Sequence, residues 1–268
     1  MEPLSEKPFL TASWTHLAML NYEIDPGILA PHLPAGTELD RFHGRTYASM
    51  VGFLYAGTRV WGAAIPLHRS FAEVNLRFYV RRLGPEGWRR GVVFIKEIVP
   101  RRAVAFVARV LYDENFVALP MRHAITPREG DEETPGRVEY RWRFAGQWER
   151  LAVETARPAA PAPPDSEAEF ITEHYWGYTA RRDGTTSEYR VEHPPWRVWQ
   201  VSRAEFVCDV ARFYGPQFAG PLAAAPTSAF LAEGSPVKVY RGQRLPGDLS
   251  RRRKGRMLGG RLTAYCHS

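Results

Sequence analysis

Three polar side chains at alternate positions of one strand-like segment are the main candidates for a functional site. The segment FAEVNLRFYV, residues 71–80, places Glu73, Asn75 and Arg77 on one face, because successive side chains of a β-strand point to opposite sides. Glu73 could act as a catalytic acid or base, and Asn75 and Arg77 could bind a polar substrate. An aromatic residue ends the row on each side, which is unusual for a water-facing strand. The pattern favours a cavity wall over its alternative, a solvent-exposed face.

A second group of candidates lies on a predicted helix. Apolar residues at helical spacing after Pro100 predict a helix that ends near Asn115. Arg109 and Tyr112, three residues apart on it, share one face and would present a guanidinium fork and a phenol to a substrate. The alternative is that Arg109 pairs with an internal carboxylate such as Glu73.

Two other ionisable residues are weaker candidates. Glu173 could bind substrate beside His174, but adjacent residues point in different directions, and a structural helix end packed by aromatic rings is the alternative. Lys96 lies in mid-strand, with Phe94 and Ile98 predicted on its face. Desolvation can lower the pKa of such a lysine and make it a nucleophile, although lysines more often reach solvent or pair with a carboxylate.

The elements that must position these residues are mostly strands separated by Gly and Pro turns. Strands are predicted at 10–24, 46–60, 71–82, 91–99, 118–125, 137–144 and 237–241. A short helix is predicted at 27–33, and capping boxes at Ser166-x-x-Glu169 and Ser202-x-x-Glu205 predict two more, the second over 203–214. These elements predict a β-rich α+β fold, a closed or strongly curved antiparallel barrel-like sheet around a central cavity with a few short helices.

The sequence lacks the motifs of the common cofactor sites. Its eight histidines show no His-x-x-x-His spacing, and Cys208 and Cys266 form neither a paired zinc motif nor a disulfide framework. There is no Gly-x-Ser-x-Gly elbow, phosphate loop or dinucleotide fingerprint. No metal and no cofactor are therefore predicted.

The excess positive charge is confined to the C-terminal end. The net charge of +7 is carried by residues 241–268, whereas residues 1–240 hold 28 basic and 28 acidic side chains. We expect one domain over 1–245 and a basic, disordered tail over 246–268, with an interaction segment as the alternative for the tail. The tail is nearly devoid of aromatic residues, so nucleic acid is not a predicted partner.

Targeting signals are also missing from the sequence. The first residues, MEPLSEKPFL, do not resemble a signal peptide, and the longest uncharged stretch is interrupted by Pro and Gly. We therefore expect a cytoplasmic protein without a membrane span. No feature of the sequence indicates an oligomeric state.

Five segments carry a resemblance to a known family. They are LNYEIDPGILAPHLPAGTELD (20–40), FAEVNLRFYV (71–80), residues 89–116, FITEHYWGYT (170–179) and SAFLAEGSPVKVYRG (228–242). Over residues 10–245 the chain resembles the YqjF-like family of bacterial proteins, part of the acetoacetate decarboxylase-like superfamily. The resemblance implies a barrel-like fold around a central cavity.

The resemblance also indicates which chemistry to expect. Glu73 matches an active-site glutamate of the superfamily, whose decarboxylase uses a lysine that forms a Schiff base. The matching stretch, 109–116, contains no lysine, and Glu23 stands where a substrate-binding arginine is expected. We therefore expect a protein that binds a small carbonyl or carboxylate compound without Schiff-base chemistry. Whether it transforms that compound by acid–base chemistry or is a non-catalytic binding or structural domain stays open at this stage.

Overall fold

The computed structural model of the chain describes residues 7–64, 70–100 and 115–245. The described residues are mostly strands: β1 Leu10–Glu23, β2 Glu38–Leu39, β3 Tyr47–Val60, β4 Ala63–Ala64, β5 Phe71–Gly84, β6 Gly87–Val99, β7 Phe116–Ala118, β8 Met121–Arg128, β9 Asp131–Phe144, β10 Gln147–Thr155, β11 Ala160–Pro161, β12 Trp176–Ala180, β13 Thr186–Glu192, β14 Arg197–Val207, β15 Ser228–Val239 and β16 Gln243–Leu245. The described helices are short: α1 Pro26–Leu29, a 3₁₀ turn Ala30–His32, α2 Glu167–Thr172, α3 Val210–Phe213 and α4 Pro216–Ala223.

Seven of these strands close into a barrel. They pair in the order β13, β12, β6, β5, β3, β1 and β15, and β15 pairs back onto β13 through Val191–Val239 and Glu192–Lys238. The sheet is mixed, because β12 and β7 each run parallel to β6 while the other paired strands are antiparallel. The predicted β-rich, barrel-like fold is confirmed, with these two parallel pairs as an addition.

A second layer of strands covers one side of the barrel. β14 pairs with β15 and then continues into an antiparallel sheet with β10, β9 and β8. Gly52 of β3 allows this layer to approach closely, because a Cβ atom there would lie 2.5 Å from the Tyr140 ring and 2.9 Å from Leu151. The second layer therefore packs closely against the outer face of the barrel wall at β3.

Strand β5 shows how the sequence alternation divides the two faces. Ala72, Val74, Leu76, Phe78 and Val80 belong to the apolar core between the barrel and the second layer. The alternate side chains point to the barrel interior, where a separate apolar cluster contains Tyr79. Burial of long apolar side chains in the outer core contributes about 1.5–3 kcal/mol each, so the polar row on the other face is fixed in place by the packing behind it.

The helices that the local signals predict are partly present. Asp25 caps α1, its carboxylate accepting from the Gly27 amide at 2.7 Å, and Ser166 caps α2 by accepting from the Glu169 amide at 3.2 Å. The predicted helix at 203–214 is wrong. Residues up to Val207 belong to β14, and only Val210–Phe213 are helical. Backbone pairing with β10 outweighs the local capping signal at Ser202.

Candidate functional site

The barrel interior contains a cavity of about 250 Å³. Its walls come from the inner faces of the barrel strands, with contributions from β7 and from the end of α2. Apolar and aromatic side chains form most of the wall, and the polar or ionisable side chains on it are Tyr55, Thr58, Glu73, Asn75, Arg77, Glu97, Thr172, His174, Tyr189 and His193. A concave apolar site with a few convergent polar groups is typical of small-molecule binding.

Glu73 and Asn75 form the buried centre of the polar row. Their side chains are 2% and 1% exposed, and Asn75 Nδ2 donates to Glu73 Oε1 at 2.9 Å. The amide orientation that this bond requires leaves Asn75 Oδ1 buried without a hydrogen-bond partner among the described residues. Asn75 thus orients the Glu73 carboxylate through its amide nitrogen, and its amide oxygen is available to accept a hydrogen bond from a ligand.

Arg77 is the half-buried cation at the end of the row. Its guanidinium lies 5.7 Å from the centre of the Tyr79 ring, and its Nε is buried without a hydrogen-bond partner in the described part of the chain. None of the salt bridges between described residues involves Arg77. A cation in this position is suited to an anionic group of a ligand, because desolvation strengthens a guanidinium–carboxylate pair.

Glu97 adds a second buried carboxylate that the sequence pattern did not identify. It lies on β6 opposite Asn75, is 3% exposed and lines the cavity. A β-bulge in β6 makes this possible, because Leu76 pairs with Lys96 while Arg77 pairs with Phe94. Phe94 and Glu97 consequently face the interior, although simple alternation would place them on opposite faces.

His174 enters the cavity wall just after α2. Its Nε2 lies 3.2 Å from Asp40 Oδ2, which also accepts from Arg90 Nε at 2.7 Å. Burial lowers the pKa of His174 to about 4, with the Asp40 hydrogen bond acting in the opposite direction. Burial raises the pKa of Asp40, but its hydrogen bonds from His174 and Arg90 outweigh that effect and lower it overall. The imidazole is therefore neutral near pH 7, with Nε2–H donating to Asp40.

A chain of hydrogen bonds ties α2 to the barrel. Ser49 Oγ donates to Asn21 Oδ1 at 2.6 Å, so the Tyr79 hydroxyl, 2.6 Å from Ser49 Oγ, is the donor to it. Asn21 Nδ2 then donates to Ser228 Oγ at 2.9 Å, and Ser228 Oγ donates to Glu167 Oε1 of α2. This chain fixes the helix whose end carries the cavity-lining side chains of Thr172 and His174.

Aromatic rings enclose the remaining space. Trp14 lies edge-on to Phe53, Tyr55 and Trp196, with centroids 5.4, 5.9 and 6.3 Å apart. His193 stacks on Trp196 at 4.1 Å, and burial lowers the pKa of this histidine. Trp14 reaches the cavity through a bulge in β1, where the register shifts between Thr15 and Ala18.

Two of the predicted site residues cannot be placed. Arg109 and Tyr112, and the helix predicted around them, lie outside the described residues. Glu23 lies at the exposed end of β1, where its Oε2 is 3.4 Å from Arg45 Nη1. The superfamily resemblance led us to expect an arginine at this position.

Glu173 and Lys96 are described, and neither belongs to the described cavity wall. The Glu173 carboxylate accepts a hydrogen bond from the Tyr175 hydroxyl. Its neighbour His174, not Glu173, lines the cavity. Lys96 Nζ donates to the Phe213 carbonyl and lies 4.3 Å from the centre of the Phe213 ring, in the outer core. Phe94 was predicted on the same face as Lys96, which is wrong because of the bulge in β6. Burial lowers the pKa of Lys96.

Metal-site and membrane criteria give two further observations. The described residues contain no group of three or more His, Cys, Asp or Glu side chains arranged to hold a metal ion. None of the helices in the described ranges is long and apolar enough to cross a bilayer.

Sequence comparison places residues 11–236 in one family. They match the model of DUF2071, which is described as an uncharacterized conserved protein. Uncharacterized protein YqjF of Bacillus subtilis is 27% identical over 188 residues, covering 69% of this chain and 72% of that relative. The YqjF-like resemblance of the sequence is thereby confirmed.

Solved structures share the fold. The enduracididine biosynthesis enzyme MppR complexed with pyruvate has a TM-score of 0.61 at 15% identity, covering 92% of this chain and 93% of that one. Acetoacetate decarboxylase from Legionella pneumophila has a TM-score of 0.61 at 13% identity, covering 91% and 89%. An acetoacetate decarboxylase-like enzyme from Sphingomonas wittichii RW1 has a TM-score of 0.61 at 14% identity, covering 90% and 95%. The predicted acetoacetate decarboxylase-like fold is confirmed.

Proposed function

Because the chain belongs to the DUF2071 family and folds around an internal cavity, we propose that it binds a small carbonyl or carboxylate compound inside the barrel. The observation that carries this proposal is the Arg77 guanidinium, which lines the cavity and has no salt bridge among the described residues. A ligand carboxylate would pair with it, and Asn75 Oδ1 would accept a hydrogen bond from a ligand hydroxyl or amine.

The fold neighbours support this ligand class. One of them, MppR, has been solved with pyruvate, a small 2-oxo acid, and others are named acetoacetate decarboxylases. A cavity of about 250 Å³ is below the range typical of drug-sized ligands, which favours a compact acid over a nucleotide.

The chemistry that we propose at this site is acid–base catalysis by Glu73. Its carboxylate is buried and oriented by Asn75, which is the arrangement required of a group that moves a proton to or from a bound carbonyl compound. Schiff-base formation is not part of the proposal, because the chain has only four lysines. Lys7 and Lys238 are exposed, Lys96 points to the outer core, and Lys254 lies outside the described residues.

The ligand-binding part of the proposal is tested with Arg77→Met. A panel of 2-oxo acids, 3-oxo acids and the corresponding simple carboxylates is screened by thermal shift, and binders are titrated calorimetrically. We expect Arg77→Met to weaken binding about 10- to 100-fold, since a hydrogen bond to a charged group contributes about 1.5–3 kcal/mol. Arg182→Met, at an exposed turn between β12 and β13, is the matched control and should bind normally. Unchanged affinity in Arg77→Met would show that the anionic group binds elsewhere.

The catalytic part is tested separately with Glu73→Gln, a change that preserves shape and removes the ionisable group. If the binder is consumed, Glu73→Gln should abolish turnover and leave binding within a few-fold of the parent, while the exposed Glu233→Gln stays active. A ligand that binds to the parent chain and is never consumed would contradict catalysis. The cavity would then serve recognition alone.

A further inference from the structure

The wall of the cavity is unusually rich in aromatic residues. Ten of its twenty-five described residues are Phe, Tyr or Trp, whereas these residue types make up 13% of the whole chain. Aliphatic side chains would seal the space equally well. The aromatic composition of the wall is therefore evidence about the shape and chemistry of the ligand.

The rings border the polar row closely. Phe94 pairs with Arg77 on the neighbouring strand β6, and Phe53 pairs with Glu73 on β3. Paired side chains on one face of a sheet lie about 5 Å apart, so a ligand held at Arg77 meets the Phe94 ring at once. At the other end of the row, Phe71 stacks on Tyr55 with centroids 4.7 Å apart and an interplanar angle of 19°.

The size of the cavity fits one ring and a short acidic chain. An apolar cavity of about 150 Å³ binds benzene, so about 250 Å³ leaves room for a few more atoms. Polar atoms without partners lie in the same wall: besides Asn75 Oδ1 and Arg77 Nε, the Trp14 indole N–H is buried and has no acceptor among the described residues.

From these observations we infer that the cavity selects carboxylic acids whose body is an aromatic ring, of about the size of 3-phenylpropanoate. This inference rests on the proposed function, since it takes the ligand carboxylate to pair with Arg77. The ring packs against Phe94 and the aromatic cluster of Trp14, Phe53 and Trp196. Edge-to-face and offset-stacked contacts favour an aryl ring over a saturated ring of similar size.

The test compares two acids of equal length. 3-Phenylpropanoate and 3-cyclohexylpropanoate are titrated into the full chain by calorimetry, and quenching of tryptophan fluorescence reports entry into the cavity, whose wall includes Trp14, Trp176 and Trp196. We expect the phenyl acid to bind about tenfold more tightly, which corresponds to about 1.4 kcal/mol. Phe94→Leu should reduce this preference to about two- to threefold. Phe144→Leu, a half-buried ring outside the described wall, should leave it unchanged.

The outcomes separate this inference from the proposed function. Equal affinities for the two acids, or tighter binding of the cyclohexyl acid, would overturn the aromatic preference, and loss of both in Arg77→Met would still support the acid site. Binding of pyruvate alone with the same dependence on Arg77 would also overturn the inference and retain the function. If neither acid nor pyruvate binds in an Arg77-dependent manner, both proposals fail.

Discussion

At the scale of single residues, the two kinds of arginine in this barrel differ in what they face. Arg82 and Arg89 donate to Glu188, whose side chain is fully buried, and that carboxylate requires them. Removing a partner from such a pair is costly because it leaves a buried charge uncompensated. Arg77 faces the cavity and has no carboxylate partner among the described residues. Folding accounts for the first two arginines, whereas our proposal assigns Arg77 to binding of the ligand.

His174 makes stability depend on pH. Burial lowers its pKa from the ordinary 6.5 to about 4, so between these values the unfolded chain takes up a proton that the folded chain does not. The free energy of unfolding therefore falls as the pH drops through this window, and it is fully retained above pH 6.5. The lowered pKa of Asp40 acts in the same direction at lower pH, because its ionised form is the one stabilised by folding.

We predict that His174→Gln removes the part of the pH dependence that comes from His174, while His16, His32 and His193, whose pKa values burial also lowers, keep their own contributions. The wild-type chain should lose about 3 kcal/mol of unfolding free energy at this site between pH 6.5 and pH 4, since each unit of pKa shift corresponds to about 1.36 kcal/mol. Urea unfolding at half-unit steps of pH measures the slope for both proteins. His43→Gln, at an exposed position before β3, should keep the wild-type slope. Identical slopes for wild type and His174→Gln would contradict the buried, neutral imidazole.

At the scale of elements, the sequence pattern predicted most of the barrel strands, but it missed β10, β12, β13 and β14 and the bulges within β1 and β6. Period-two alternation in 71–80 separates the two faces of β5 because the strand is regular there. In β1 and β6 a bulge reverses the alternation, so Trp14 and Glu97 face the cavity against the simple pattern. A bulge depends on pairing with strands distant in sequence, and no residue type near these two bulges predicts them.

The helix predicted over 203–214 failed for a related reason. Ser202 and Glu205 have the spacing of a capping box, and the apolar residues that follow fit a helix. In the structure Glu205 pairs with Ala152 of β10 and interacts with Arg150 at 3.2 Å, which are contacts of a strand. Ser166, by contrast, does begin a helix, because no strand competes for α2. Capping signals thus predict helices only where the sheet leaves the backbone free.

We predict that the bulge in β1 depends on Gly234. This residue, opposite Thr15 on β15, has a φ of +83°, and a Cβ atom would lie 2.0 Å from the Trp14 carbonyl oxygen. Gly234→Ala should destabilise the fold and weaken ligand binding, because the Trp14 backbone must move. Gly146→Ala is the control: its φ is +89° with no atom within 4 Å of the added Cβ, so only the strain of about 1–2 kcal/mol remains.

Urea unfolding and ligand titration of the two variants test this dependence. Gly234→Ala should be less stable than Gly146→Ala by at least about 1 kcal/mol, and of the two only Gly234→Ala should bind the ligand more weakly. Equal destabilisation, or normal binding by Gly234→Ala, would mean that the strand accommodates the methyl group without moving Trp14.

At the scale of the whole molecule, the barrel is closed by contacts that local sequence does not encode. β13 pairs with β15, and β6 runs parallel to β12 about 80 residues later in the chain. The number of strand-like segments and their turns predicts a barrel-like sheet, but the order of strands follows from long-range pairing. The site also depends on long-range contacts, since Asp40 and His174 are 134 residues apart in the sequence and meet only in the folded barrel.

The distribution of charge leads to the last prediction, which concerns the tail. Residues 246–268 lie outside the described residues, and they carry six basic side chains and one acidic one, so their removal lowers the formal charge from +7 to +2. The cavity wall is built from residues 9–239. Deleting 246–268 should therefore leave the thermal midpoint and the ligand affinity unchanged, while the protein elutes from a cation-exchange resin at lower salt. If the deletion removed ligand binding, the tail would contribute to the site, and our proposal of one domain over 1–245 with the tail outside it would be wrong.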